Sequence, residues 1–280
     1  MTRQGKRLLT NTVSYVILIL FSLLVILPLI WMFLTAIKSM EEITLSRGMN
    51  FFPEVFSIEN FVKIWDNYPM LTYFKNSAIT VGASTILVII CASLCGYGLS
   101  RFEFKGKAAF LSFLLITQMF PAVMKIVPYY QILSKLDLIN TKTGLTLVYT
   151  SFCIPFCTWL MYGYFRGIPN GLDEAARIDG CNWLQCFWKI TLPLARPGII
   201  ATTIYAFLQN WNEYMFASVL MNRNANKTLT IGIAQMGDAY NILWNDLMCA
   251  AILASLPTLL IFLFLQKQLI SGMTSGSVKE

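Results

Sequence analysis

I-P-N-G-L-D-E-A-A-R-I-D-G-C-N-W-L-Q-C-F-W-K-I-T-L-P, Ile168 to Pro193, lies between two long apolar runs and is itself too polar and too interrupted to cross a membrane. Pro169 closes the preceding segment. Asn170 or Gly171 is placed to cap a helix with Asp173 and Glu174 in its first turn, where carboxylates favour the positive end of the dipole. The spacing predicts a short helix beginning near Leu172. On it Leu172, Ala175, Ala176 and Asp179 recur at i, i+3, i+4 and i+7, a face with two methyl groups at its centre that lets another protein approach closely. Gly180 is the residue able to end the helix in the left-handed conformation. Asn182, with Gln185 three residues on, is a second capping signal; it opens a segment with Trp183, Cys186, Phe187 and Ile190 on one face and Gln185 and Lys189 on the other. Pro193 is expected to stop that segment and Pro197 to open the next helix.

Glu174, Ala175, Ala176, Gly180, Ile190, Leu192 and Pro193 fill the pattern E-A-A-x3-G-x9-I-x-L-P. With it the stretch resembles the cytoplasmic loop of the membrane-spanning subunits of ATP-binding-cassette importers. The resemblance implies a coupling helix over 172–180, within a coupling loop 166–196, that docks into a groove on a separate ATPase subunit through Asp173, Glu174, Ala175, Ala176, Asp179 and Gly180. Read from polarity alone, the same residues also fit an amphipathic linker in which Glu174 and Arg177 form a solvated i,i+3 pair.

Of the 280 residues, 56% are hydrophobic and only 12% are charged, which excludes a soluble core of ordinary composition. Six segments are long and apolar enough to span a hydrocarbon core of ~30 Å: roughly 13–37, 71–99, 108–133, 143–165, 197–221 and 247–266. The expected fold is therefore an all-α integral membrane protein with six transmembrane helices. Residues 1–12 form an N-terminal tail, 13–270 the membrane domain and 271–280 a C-terminal tail. Short cytoplasmic loops hold an excess of Lys and Arg. Placing the N-terminus inside collects 12 of the 21 basic residues and 5 of the 14 acids on that side, and with them the whole formal charge of +7. Both termini are thus expected to be cytoplasmic, and the basic balance needs no nucleic-acid partner.

The chain has no His, which removes His-dependent zinc sites and catalytic triads. Cys91/Cys95 and Cys153/Cys157 are spaced i,i+4 inside expected spans, where small apolar thiols suit helix packing, and no metal site is expected. Lys105-Gly106-Lys107 is not a phosphate loop, because Arg101 stands where glycine is required and Ala108 where Ser or Thr must reach magnesium. The chain is thus expected to carry no cofactor, and ATP to be bound by a partner.

Outside the central loop, S-I-E-N-F at 57–61, G-Y-G-L-S-R-F-E-F-K-G-K at 96–107, P-Y-Y-Q-I-L-S-K-L-D-L-I-N-T at 128–141 and W-N-E-Y at 211–214 resemble the carbohydrate branch of the importers. The tail Q-K-Q-L-I-S-G-M-T-S-G-S-V-K-E resembles the end of the maltose-type permease subunit, which implies an ATPase contact through Thr274, Ser275, Gly276 and Ser277. The third span, with Gln118, Pro121 and Pro128, is a pathway candidate, since proline frees backbone carbonyls that need protein or water. Lys125 near its outer end is expected to snorkel to the surface. In the fifth span Gln209, Trp211, Asn212 and Glu213 combine amides, a carboxylate and a flat ring, a set suited to sugar hydroxyls and C–H faces. The same groups also suit hydrogen bonds between helices or to another subunit.

The resemblance implies a type I ABC importer permease in a prokaryotic inner or plasma membrane, forming the pathway for a carbohydrate of oligosaccharide size. Its partners would be a second similar permease, two ATPase subunits, an extracytoplasmic solute-binding protein and membrane lipid. A same-fold permease for another solute remains open. An intramembrane lipid-modifying enzyme would need carboxylates acting together, yet Asp173 and Asp179 lie six apart on different sides of a helix, so no catalytic residue is assigned.

Overall fold

The computed structural model describes residues 3–45, 50–237 and 242–275, and the regular structure among them is helical. The helices are α1 (Arg3–Ala36), α2 (Met40–Leu45), α3 (Glu59–Asn67), α4 (Met70–Arg101), α5 (Lys107–Met119), α6 (Ala122–Lys135), α7 (Lys142–Arg166), α8 (Gly171–Ile178), α9 (Trp183–Cys186), α10 (Leu192–Leu194), α11 (Arg196–Trp211), α12 (Met215–Leu220), α13 (Leu229–Ala234) and α14 (Trp244–Ser275). A π-helical turn, Phe187–Thr191, joins α9 to α10.

Four of these, α1, α4, α7 and α14, are long and apolar enough to span a bilayer alone. Two bent pairs reach that size only together: α5 with α6 at 100°, and Trp183–Leu194 with α11 at 79°. Six spans result if each pair counts as one. The third span expected over 108–133 is made of two helices, α5 and α6, at nearly a right angle. The fifth is corrected to α11, a break at Asn212–Tyr214, and the short α12. Pro193 does not stop the segment before it either; the helix continues to Leu194, and the bend falls at Ala195.

The α5–α6 bend follows from one missing donor. Pro121 has no N–H to return to the carbonyl of Thr117, one helical turn earlier. Lys125 Nζ donates to that carbonyl at 2.9 Å and lies 5.2 Å from the centre of the Phe152 ring. Lys125 thus fastens the bend instead of reaching outward as expected.

The chain divides into two compact units. In the first, Met1–Pro69 with Ile233–Ser255, Asn60 of the S-I-E-N-F stretch donates from Nδ2 to the carbonyls of Ala36 (2.8 Å) and Lys38 (2.9 Å). The Cys249 thiol donates to the Ala36 carbonyl as well, at 3.4 Å. These groups satisfy acceptors that the end of α1 cannot pair internally.

In the second unit, Met70–Gly232 with Leu256–Glu280, α4 and α7 pack along their length. The contact is close because Gly96 lacks a side chain: a Cβ there would lie 2.8 Å from the Tyr162 amide nitrogen and 2.9 Å from Met161 Cβ. Val88, Ala92, Tyr97, Cys157, Phe165 and Phe187 belong to the buried cluster that this packing makes. Small polar residues add hydrogen bonds between the helices, as in other membrane bundles. Asn210 Nδ2 donates to Ser84 Oγ at 2.9 Å, and the Cys153 thiol donates to Asn210 Oδ1 at 3.3 Å.

Candidate functional site

Two places gather the residues singled out in the sequence. The first is α8. Its C-terminus is a Schellman cap: Gly180 has φ of 91°, the Cys181 amide donates to the Ala176 carbonyl (3.0 Å), and the Gly180 amide donates to that of Arg177 (3.1 Å). The capping box before α9 is present, with Asn182 and Gln185 each accepting from the other's backbone amide at 2.8 Å.

The orientation of α8 differs from the expected one. Asp173 and Ala176, one turn apart, face inward, whereas Leu172, Glu174, Ala175, Ile178 and Asp179 are exposed. The face centred on both alanines is corrected to one that includes Ala175 and not Ala176. Ile178, at 87% exposure, is its most prominent apolar group.

Asp173 turns inward because of Arg101, at the end of α4. Arg101 Nε donates to Asp173 Oδ2 at 2.5 Å with both side chains 2% exposed, and Thr191 Oγ1 donates to Asp173 Oδ1 at 2.6 Å. Arg101 Nη1 donates to the Phe165 carbonyl (3.0 Å) and to Asn170 Oδ1 (2.8 Å). Asn170 is therefore taken up by the arginine, and its side chain does not cap α8. One guanidinium ties α8 to α4 and to the end of α7, and the Asp173 carboxylate carries the tie on to the π turn. Neither Arg101 nor Thr191 is assignable to this site from the sequence, and only the short spacing from G-L-S-R to the end of a span hints at the former.

The second place is the break after α11, beside a cavity of about 340 Å³. Gln209, Asn212 and Glu213 line it together with Tyr149, Phe152 and Tyr214. Glu213 also serves the next helix, since its Oε1 accepts from the Phe216 amide (2.7 Å) and its Oε2 from the Ala217 amide (3.0 Å), which caps α12. Tyr149 lines the cavity with the same carboxylate. Asn212 Nδ2 donates to the Leu208 carbonyl at 2.9 Å and so closes the end of α11. Two other candidates do not line the cavity. Trp211 is buried and stacks on Phe207, with centroids 5.3 Å apart, and Gln118 donates to the Phe152 carbonyl at 3.3 Å. Gly276 and Ser277 lie outside the described residues, and of Thr274 and Ser275 only the backbone is described.

Several apolar helices carry a short amphipathic helix fastened to α4 by a buried ion pair, and the proteins that this chain is similar to make it the permease subunit of a binding-protein-dependent importer, a transport component and not an enzyme. Residues 88–275 match the family described as binding-protein-dependent transport system inner membrane component, and the chain belongs to that family. It is 34% identical to the diacetylchitobiose uptake system permease protein NgcG of Streptomyces coelicolor, over 95% of this chain and 88% of that protein. It is 31% identical to the trehalose/maltose transport system permease protein MalG of Thermococcus litoralis (93% and 94% covered) and 30% identical to the maltodextrin transport system permease protein MdxG of Bacillus subtilis (100% of both). The fold is shared with a chain of a bacterial ABC transporter involved in alginate import, at a TM-score of 0.82 and 23% identity, over 95% of this chain and 98% of that one.

Proposed function

We propose that this chain forms part of the pathway for a carbohydrate of oligosaccharide size, and that α8 is the element through which ATPase motion reaches it. The observation that carries the substrate class is the cavity at the α11–α12 break. Gln209 and Asn212 offer amide donors and acceptors, Glu213 a carboxylate, and Phe152 and Tyr214 flat faces. Sugars need such a mixture, because their hydroxyls lose water on entering and their C–H faces pack on rings. The sugar-uptake relatives support the same class.

The coupling reading rests on α8. Leu172, Glu174, Ala175 and Ile178 form an exposed surface while Asp173 anchors the helix from below. The full assembly contains a second similar permease and two ATPase subunits, receives substrate from a solute-binding protein, and has the 166–196 loop and both termini on the cytoplasmic side. Thr274, Ser275, Gly276 and Ser277 supply a further ATPase contact.

The test is uptake of a labelled oligosaccharide by the assembly in proteoliposomes. Gln209→Leu removes a cavity amide that caps no helix, and uptake should fall at least tenfold at unchanged permease level. Uptake at the unaltered rate would leave the polar groups of the break with only their structural work.

A further inference from the structure

We propose that the seam between α5 and α7 binds an anionic phospholipid, with its phosphate headgroup at the Arg101 end and an acyl chain in the groove beyond. Two recesses lie in line along that seam. One, of about 910 Å³, is lined by Ser100, Arg101, Lys107, Arg166 and Asn170, with Glu103 its one acid. The other, of about 400 Å³, is apolar and lined by Leu115, Phe156, Trp159, Leu160 and Gly163.

Helical spacing makes the two continuous. Lys107, Leu111 and Leu115 succeed one another at i, i+4 and i+8 on α5, while Arg166, Tyr162, Trp159 and Phe156 descend one face of α7. The Trp159 indole N–H donates to the Leu111 carbonyl at 3.0 Å and pins the seam where they meet.

The polar recess has the donors that an anion requires. Arg101 Nη2 is buried with no partner, although the rest of that guanidinium is fully engaged. Arg166 is exposed at the recess wall, at the end of α7. Gly106, Lys107, Ala108 and Ala109 line it too and open α5; the Lys107 amide is taken by the Phe104 carbonyl at 3.3 Å, and those of Ala108 and Ala109 have no intrahelical acceptor. Glu103, at 88% exposure, pairs with Lys107 at 2.8 Å, which leaves Arg166 and the unpartnered Arg101 Nη2 as the groups that meet an anion. Basic recesses between spans at the membrane surface suit anionic headgroups. A free phosphate would use the polar recess alone, whereas the apolar groove in line with it takes a chain. The inference rests on the inner-membrane placement, and on the proposed topology only for the leaflet, which would be the inner one.

The test uses the purified assembly in detergent, delipidated and then titrated with dioleoyl phosphatidylglycerol, dioleoyl phosphatidylcholine or inorganic phosphate. Retained lipid is read by native mass spectrometry. Two variants address the two recesses: Arg166→Gln removes a headgroup cation, and Gly163→Leu fills the groove, where an added Cβ meets nothing within 4 Å. Phosphatidylglycerol should bind at least tenfold more tightly than phosphatidylcholine, and each variant should weaken it at least tenfold while the ATPase stays bound. Equal binding of the two lipids would overturn the proposal. So would displacement by millimolar phosphate, retention of wild-type binding by both variants, or efficient cross-linking of Gly163→Cys to the second permease, which would make the groove a subunit interface. Absence of sugar uptake by the unaltered assembly, with phosphatidylglycerol binding intact, would count against the transport reading alone.

Discussion

Arg101 and Asp173 stand 72 positions apart in sequence, and each taken alone is an ordinary charge at a membrane edge. Together they form a buried pair, and the asymmetry of such pairs predicts how variants behave. Removing one partner leaves an uncompensated buried charge, at a cost of about 3–5 kcal/mol, whereas replacing both with apolar groups is often neutral. Arg101→Met or Asp173→Leu should each lower the thermal unfolding midpoint of the purified permease sharply, and the double variant should recover most of the loss. Equal or additive losses in the double variant would show that the pair does not act as a unit. The pair also explains the turn of α8: the resemblance counted Asp173 among the docking residues, and only the unforeseen guanidinium permits it inside. Ala176 follows Asp173 inward because it lies one turn on, so a bulky residue there would disturb the chain's own packing before any partner's. Gly180 and the Asn182/Gln185 box were legible because their signals are local, each completed within a few residues.

Among the elements, the long apolar helices were readable from composition, and the bent ones were not. Pro121 announced an irregularity in the third span, but the 100° angle depends on Lys125 reaching the freed Thr117 carbonyl. The break at Asn212–Tyr214 stayed hidden because Glu213 reads as a lone carboxylate until its bonds to the Phe216 and Ala217 amides are seen. That double use limits what Glu213→Ala can report, since losing a helix cap typically costs about 0.5–2 kcal/mol. Helix order also sets sidedness. With the N-terminus inside, the α4–α5 turn is cytoplasmic, and the loop between α12 and α13 is external. In a background without the accessible native cysteines, Lys105→Cys should resist a membrane-impermeant maleimide in intact cells, and Asn224→Cys should react with it. The reverse labelling would invert the topology.

For the whole molecule, the proposed coupling makes the exposed face of α8 the seat of the ATPase, and everything beneath it, from Arg101 to the α4–α7 core, gives that face a firm base. The family was legible because the loop's pattern is specific, and the carbohydrate class because of the flanking stretches; which polar residues line the cavity was only partly legible, because the cavity sits at a break that only the folded chain reveals. Glu174→Lys reverses a charge and sets a cation at the helix N-terminus, and Ala175→Trp adds bulk on the outward side. Both lie outside the apolar spans, so membrane levels should be unchanged. The decisive measurement is co-purification of the ATPase with each variant, alongside substrate-stimulated ATP hydrolysis. Association and stimulated hydrolysis should both fall at least tenfold at normal permease level, and normal association with fully coupled hydrolysis in both variants would leave α8 without a coupling role.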